Sequence, residues 1–592
     1  MRIARPRMDK PRRWTVEPRH QAADELAGRL KVSPLIAQIL LNRGVADPDE
    51  CYRFLQPSLK TLHDPGLIPG MSAGAQRIAQ AIRDQQPIVI YGDYDVDGIT
   101  GTAILWHAIR LLGGQASCYT PHRLDEGYGL NCEAVAQICA QGAKVIVTVD
   151  CGITAVEPAR VVRSAGVDLI VTDHHDLPRQ PDGTPGELPD CFAIVHPRLP
   201  GEEGQAYPNP HLCGSGVAFK LAWALGQAAA GHSRVSMEFR EFLIDAMSLA
   251  ALGTIADVVP LMGENRILTH FGLLGLCRSK MLGIQALLAS TDSTKKVDAY
   301  KVGFVLAPRL NACGRMGHAG LAVEMLTSAD AAKALEIAKY LDQRNRERQT
   351  LERRIVAEAV QQVTELGLDG DECRAIVVGA KGWHAGVNGI VASRLVDRFY
   401  RPTIVIALDE QTAQGSGRSV AGFHLANALS SMSHLIEGSG GHEMAAGLRL
   451  RCDQFEPFRE AFLDHAAQNV APELLVPTLN LDVEAQLHQI TRPLVDEFEK
   501  LGPFGQGNPK PLFGCADVEL TAAPNRCGQS GDHLQLRVRQ GEVMMKCIAF
   551  GLGDMAEKLR QGMRLDVAAE PSLNHYNGST TVQLEVKDLK IR

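Results

Sequence analysis

The chain of 592 residues contains no C-x-x-C pair, no Gly-Lys dipeptide and no apolar stretch near the roughly 18 residues that span a bilayer. The first absence leaves a structural zinc site without a signature, and the second excludes a phosphate-cradling P-loop. No G-x-G-x-x-G follows a strand-like run, so a dinucleotide fingerprint is missing too. The fourteen cysteines are scattered, and at this length free, mostly buried thiols in a reducing cytoplasm are expected rather than a disulfide framework. Neither sign of charge dominates: the net charge is −7. That excludes a protein that coats nucleic acid by bulk charge, and leaves such contacts to local basic surfaces. Residues 1–14 are rich in Arg but lead into no apolar core, so they read as a flexible basic arm and not as a secretory signal. The length exceeds what one core can fill, and three or four domains are expected.

What is present is a set of three apolar runs that each end on acids or histidines. They are Pro87-Ile88-Val89-Ile90-Tyr91 before Gly92-Asp93-Tyr94-Asp95-Val96-Asp97-Gly98, Val145-Ile146-Val147-Thr148-Val149 before Asp150-Cys151-Gly152, and Leu169-Ile170-Val171-Thr172 before Asp173-His174-His175-Asp176. Continuous β-branched runs of this length read as buried strands of a parallel sheet. Ligands of open α/β sheets gather at the carboxyl ends of such strands. So much like charge on one rim is costly unless cations sit there.

Residues 18–65 read as short helices, and 72–270 alternate strands with helices in a βαβ rhythm. A helical pattern over 241–257 carries Asp257 near its end. A long polar helix is predicted over 329–366, and its charged stretch 342–348 lacks an apolar face, as a solvent-bridging helix would. A second α/β segment follows, with strands at 373–378 and 403–407. From about 475 the pattern is short strands with turn residues, which fits an all-β barrel.

Asp93-x-Asp95-x-Asp97-Gly98 could be a calcium loop, but an EF-hand needs a bidentate Glu at loop position 12, where this chain has Ile104, and a strand precedes the loop. A dinuclear site remains. Carboxylates two apart in a tight loop can each face a different ion, and a third from the next strand can bridge them, about 3.5–4 Å being the separation that suits phosphoryl transfer. Mixed carboxylate and imidazole ligands suit Mn²⁺, and an oxygen-rich shell admits Mg²⁺.

These residues resemble the DHH phosphoesterase superfamily, whose naming triplet is here Asp173-His174-His175. Asp257, in Gly253-Thr254-Ile255-Ala256-Asp257-Val258-Val259-Pro260, fits the superfamily's fourth acidic position. Many members have His four residues before the first ligand Asp, where this chain has Tyr91, so Asp93 or an extra water is expected to fill that place. Gly440-Gly441-His442-Glu443-Met444-Ala445-Ala446-Gly447 is similar to the signature of the companion DHHA1 domain. Stretches from Arg309 to Met316, from Trp383 to Leu395 and from Gly415 to Ser419, together with Pro503-Phe504-Gly505-Gln506-Gly507-Asn508-Pro509, are similar to motifs of the superfamily's RecJ branch.

The resemblance implies two α/β lobes, a parallel-sheet DHH domain and a smaller DHHA1 domain, joined by a long helix and followed by an OB-type β-barrel. The expected boundaries are an N-terminal helical segment 1–70, the DHH domain 71–270, a helical connector 271–366, the DHHA1 domain 367–470 and the OB-type domain 471–592. It implies a 5′-to-3′ exonuclease specific for single-stranded DNA, acting in repair and recombination and releasing 5′-mononucleotides by two-metal hydrolysis with Mg²⁺ or Mn²⁺. Position by position, it implies Asp95 on one ion, Asp97 on the other, Asp150 bridging, and His174 and Asp257 completing the ligand set of the second ion. His175 would contact the phosphate or the leaving oxygen, and Asp173 would orient a histidine. Arg123, Arg309, Arg315, Ser416, Arg418 and His442 are the candidates for holding the strand, since arginines fork onto phosphate. Phe550, His575 and Tyr576 are candidate stacking platforms on the barrel. The implied partners are single-stranded DNA, a single-strand-binding protein and a repair helicase, in the cytoplasm. The alternatives are a small-molecule phosphohydrolase acting on pyrophosphate, polyphosphate, a cyclic dinucleotide or a short oligonucleotide, and a non-catalytic DNA-binding scaffold with a relic metal site.

Overall fold

The computed structural model describes residues 11–122, 126–180, 182–201, 204–291, 293, 296–315, 319–576 and 578–592, with Arg315 and Tyr576 described in backbone only. Two compact units share the chain. One holds 52–346 and 500–510, the other 1–51, 347–499 and 511–592.

The first unit is built on a five-stranded sheet in the spatial order Ala116–Tyr119, Ile88–Gly92, Val145–Val149, Asp168–Thr172, Ala193–Val195, and every neighbouring pair is parallel. Both faces are covered, which explains the unbroken apolar runs. Ile88, Ile90, Val145, Val147 and Val149 pack with the helices Met71–Arg83, Val96–Leu111 and Gly214–Ala230. Tyr91, Ile146, Leu169 and Val171 pack on the other face with Cys132–Ala140 and Val156–Ser164. The strand order reverses between Ile88–Gly92 and Val145–Val149. Open α/β sheets bind ligands outside the carboxyl ends at such a point. The first two acidic loops flank it. The helix Met237–Ala256 ends with Asp257 as its C-cap.

The second unit carries a mixed sheet in the order Gly438–Gly441, Ala445–Arg451, Thr412–Arg418, Thr403–Leu408, Ile376–Lys381, parallel only in its last pair. Its other large sheet closes on itself, because Phe513–Leu520 pairs with both Arg564–Tyr576 and His533–Gln540. Five of its seven strands thus close into a ring, the OB-type arrangement.

Two expectations are corrected. Residues 11–16 are not a loose arm. Arg13–Val16 pairs in parallel with Thr478–Leu481, Trp14 Nε1 donates to Asp588 at 2.9 Å, and Lys590 lies 4.7 Å from the indole ring. Residues 1–10 lie outside the described residues. The long helix Ala331–Glu365 forms, about 52 Å of it at the usual rise, but its charged stretch is not wholly solvated. Asp342 and Asn345 are buried, and the Asp342 carboxylate accepts from Arg309 at 2.9 Å and pairs with Arg346 at 2.8 Å. The apolar face is missing there because ion pairs take its place.

Candidate metal centre

Local structure presents each acid. Asp95 is the N-cap of the helix Val96–Leu111, and its Oδ1 accepts from the amides of Asp97 (2.8 Å) and Gly98 (3.2 Å). Asn311 Oδ1 accepts from Val96 N at 3.1 Å, so the stretch around Arg309 supports this loop from outside. Asp97 is held by the first amides of the helix Gly214–Ala230, with Gly214 N at 2.5 Å and Ser215 N at 2.8 Å. Helix N-termini favour negative charge in this way. A Cβ at Gly214 would stand 2.5 Å from Asp150 Cβ, and one at Gly253 would stand 2.5 Å from Asp97 Oδ1, so side chains there would collide with the acids. Asp150 adopts φ +64, a left-handed conformation that Asp tolerates better than most residues. Val258, beside Asp257, has φ +60, which costs a β-branched residue about 1–3 kcal/mol.

The acids and His174 form overlapping sets. Asp93, Asp95 and Asp150 bring ligand atoms within 4.8 Å of one another, as do Asp97, His174 and Asp257, and Asp150, His174 and His175. Asp150 and His174 each belong to two sets. His174 Nε2 lies 3.0 Å from Asp150 Oδ1, 3.6 Å from Asp257 Oδ2 and 3.8 Å from Asp97 Oδ2. Proximity and hydrogen bonding disagree here: neither ring nitrogen of buried His174, nor Asp150 Oδ1, has a hydrogen-bond partner among the described residues. The angles are wrong for a bond between them, as they would be for groups aimed at a common third point. Leaving such atoms buried and unsatisfied costs about 1–3 kcal/mol each. A carboxylate-rich set with one imidazole fits a hard or borderline divalent cation.

The electrostatics agree. Burial, then the charges of Asp97, Asp95, Asp93 and Asp257, hold the Asp150 carboxyl well above the ordinary range. Burial followed by Asp97 and Asp95 pushes Asp257 up to about 8, and burial pulls His174 down to about 4. Without cations the cluster would relieve its repulsion by taking up protons.

His175 differs. Burial alone would lower its pKa, but the hydrogen bond and charge of Asp173 outweigh it and raise it to about 9. Asp173 Oδ1 lies 2.8 Å from His175 Nδ1 and accepts from His174 N and His175 N, while Oδ2 accepts from Ile153 N at 2.9 Å. The His175 ring is 44% exposed, at the rim. The Tyr128 hydroxyl donates to the Asp150 carbonyl oxygen at 3.1 Å and lies 3.0 Å from His175 Nδ1. Buried His196 reaches the His175 carbonyl oxygen at 2.9 Å. Tyr91 turns to the other face of the sheet, where its hydroxyl donates to Gly129 O at 3.0 Å and its ring meets Tyr119 at 5.0 Å. Asp93 instead stands among the acids.

Sequence reasoning missed Tyr128, His196 and the Gly214–Ser215 amides. Gly127-Tyr128-Gly129 and the small residues after Cys213 were the signals available.

The remaining candidates are spread more widely. Arg123 lies outside the described residues, and Arg315 ends the helix Ala307–Arg315. Arg309, on the same helix, is engaged by Asp342 and by Val305 O. In the second unit Ser416 and Arg418 are two apart on Thr412–Arg418, hence on one face, opposite Gly447 and Ala445. Arg418 Nη1 donates to Gly417 O at 2.8 Å. His442 is exposed in the Gly441–Ala445 turn, its amide donating to Ala445 O. On the barrel, Phe550 meets His533 edge-on at 5.1 Å, and His575 lies 2.8 Å from Thr580 Oγ1.

Comparison with known proteins gives three family matches: the DHH family N-terminal domain over residues 87–254, the DHHA1 domain over 373–468 and the RecJ OB domain over 481–588. The single-stranded-DNA-specific exonuclease RecJ of Bacillus subtilis (strain 168) is 38% identical over 584 residues, covering 98% of this chain and 71% of that protein. The crystal structure of RecJ from Thermus thermophilus in complex with Mn²⁺ superposes with a TM-score of 0.80 at 32% identity, over 98% of this chain and 79% of that one. Its complex with Mg²⁺ gives a TM-score of 0.75 at 30% identity, over 98% and 78%.

Proposed function

The chain belongs to the RecJ family of single-stranded-DNA-specific exonucleases, and from that premise we propose how its own residues carry out the reaction. It is a metal-dependent exonuclease that hydrolyses phosphodiesters of single-stranded DNA, with Mn²⁺ or Mg²⁺ as cofactor. The observation that carries this reading is the pair of buried, unbonded atoms His174 Nε2 and Asp150 Oδ1, 3.0 Å apart inside a ring of acids. Asp93, Asp95 and Asp150 would hold one cation, and Asp97, His174 and Asp257 the other, with Asp150 shared. Two cations bound there supply Lewis acidity that activates water and neutralises charge on the phosphoryl oxygens.

The chain's residues do the rest. The Gly214 and Ser215 amides fix the Asp97 carboxylate, and the Asp95 cap fixes the loop. His175, protonated against Asp173, donates to a phosphoryl or leaving oxygen at the exposed rim. Water adds to phosphorus as the P–O3′ bond breaks. The terminal nucleotide leaves with its 3′ hydroxyl, and the phosphate stays as the new 5′ end. We assign polarity from the 5′ end, and we place Ser416, Arg418, His442, Arg123, Arg309 and Arg315 along the strand path, with Arg309 acting through the Asn311-bearing helix. We keep the expected domain limits as part of this reading, except that 500–510 go with the catalytic unit. Association with a single-strand-binding protein and a helicase, a role in repair and a cytoplasmic location complete the reading. No helix among the described residues is long and apolar enough to cross a membrane.

Digestion of a single-stranded oligonucleotide labelled at either end, with pyrophosphate offered in parallel, tests it. Immediate release of the 5′ label as a mononucleotide, dependent on Mn²⁺ or Mg²⁺, is expected. Turnover of pyrophosphate alone would overturn the reading in favour of a small-molecule phosphohydrolase.

A further inference from the structure

The segment Pro503-Phe504-Gly505-Gln506-Gly507-Asn508-Pro509 belongs to the catalytic unit, although the helix Arg492–Glu499 before it and the strand Phe513–Leu520 after it belong to the other. It is a closed loop. Gly505 N donates to Asn508 O at 2.9 Å, and the Asn508 side chain, 1% exposed, donates to Leu501 O at 2.8 Å and Pro503 O at 2.9 Å.

This loop sits on the residues that follow Asp257. Leu261 N donates to Gln506 O at 2.8 Å. A Cβ at Gly505 would meet Leu261 Cδ1 at 2.7 Å, and one at Gly507 would meet Pro260 Cβ at 3.1 Å, so backbone lies against the turn. Arg266, on the helix Gly263–Leu276, anchors the same segment. Its guanidinium donates to Lys500 O, Leu501 O and Gly502 O at 2.7–2.9 Å and to Phe54 O at 2.9 Å, and it lies 3.8 Å from the Phe54 ring centre. The turn so bracketed contains Val258 at φ +60. A β-branched residue holds that conformation only where its surroundings over-determine it.

We propose that the 503–509 loop is a positioning element for the metal centre: it clips the Asp257–Val258 turn and thereby sets cation affinity at the Asp97–His174–Asp257 set. The proposal rests on the reading of Asp257 as a ligand. Residues that orient a ligand without touching the ion change affinity about 10–100-fold when removed.

The test is Mn²⁺ titration of the metal-free full chain by calorimetry, beside rate measurements. Asn508→Ala should weaken one of two Mn²⁺ equivalents about tenfold, raise the Mn²⁺ needed for half-maximal rate in step, and leave KM for the oligonucleotide at saturating Mn²⁺ unchanged. Val258→Gly in that background should restore affinity, because glycine takes a positive φ without strain. Should Asn508→Ala not fold, Gly505→Ala replaces it, since its methyl displaces only the end of Leu261. Wild-type affinity in the folded variant, or a loss that Val258→Gly does not recover, overturns the proposal. Asp257→Asn run alongside separates the premises. If it loses one equivalent while Asn508→Ala loses none, only the clip falls; if it keeps both, the ligand assignment and the clip fall together.

Discussion

Two buried charge clusters in the catalytic unit are solved in opposite ways. Lys220 and Glu264 are fully buried, 2.5 Å apart, and their remaining valences are filled from within: Lys220 donates to His63 O, and Glu264 accepts from His63 N and Tyr207 Oη. The rim at the strand ends holds five acids and a depressed histidine, with buried atoms that no described residue satisfies. Charge used to join segments is paired internally. Charge used to hold a guest is left open, at a cost that the guest removes. That difference separates a structural cluster from a functional one more reliably than burial does, since both are buried.

The comparison breaks most sharply at Asp150. Asp150→Asn should lower hydrolysis at least about 10³-fold and abolish Mn²⁺ binding in calorimetry, yet melt no lower than wild type in chelator, because Asn also tolerates the left-handed backbone at φ +64 and carries no repelling charge. Near-normal turnover would remove Asp150 from its bridging role. Lys220→Met should do the reverse. It should cost about 3–5 kcal/mol of stability in denaturant unfolding and leave both Mn²⁺ equivalents in place. Adding Glu264→Gln should recover more than half of the loss, because the amide oxygen can still accept from His63 N while its NH2 group donates to the Tyr207 hydroxyl oxygen.

A pH series sharpens the contrast. Asp257 titrates near 8 in the metal-free fold and near 4 when unfolded. The unfolded chain therefore binds fewer protons between those values, and stability falls as pH rises through that window. Thermal melts in chelator should decline from pH 5 to pH 8, and saturating Mn²⁺ should flatten or reverse the slope. The smallest effect belongs to Tyr128→Phe, which removes the hydroxyl joining His175 to the Asp150 carbonyl. A hydrogen bond of about 0.5–1.5 kcal/mol predicts a roughly two- to thirteenfold fall in kcat, with Mn²⁺ affinity unchanged.

Much of this was legible before any coordinates. The runs ending at Tyr91, Val149 and Thr172 read as buried strands because helices cover both faces, so no charged residue interrupts them. The three strand ends could be named as a metal rim because carboxylates and imidazoles at that density have few other uses. Less visible was the stretch 342–348, which looked solvated until Arg309 met Asp342. The 503–509 loop, inside the limits expected for the barrel domain, packs in the catalytic unit. Tyr91 marked a missing ligand, but only the fold shows its side chain on the far face and Asp93 within reach of Asp95 and Asp150.

The sequence by itself determined which groups carry the chemistry and which local elements present them, because strand runs, caps and turns depend on neighbours a few residues apart. Tertiary structure decided that the strand at 88–92 lies beside the one at 145–149, so that Asp93, Asp95 and Asp97 face Asp150. It also brought the amides of Gly214 and Ser215 to Asp97, 117 and 118 residues along the chain. Whether a buried charge ends up paired or open depends on which distant segments pack around it, and no local pattern encodes that.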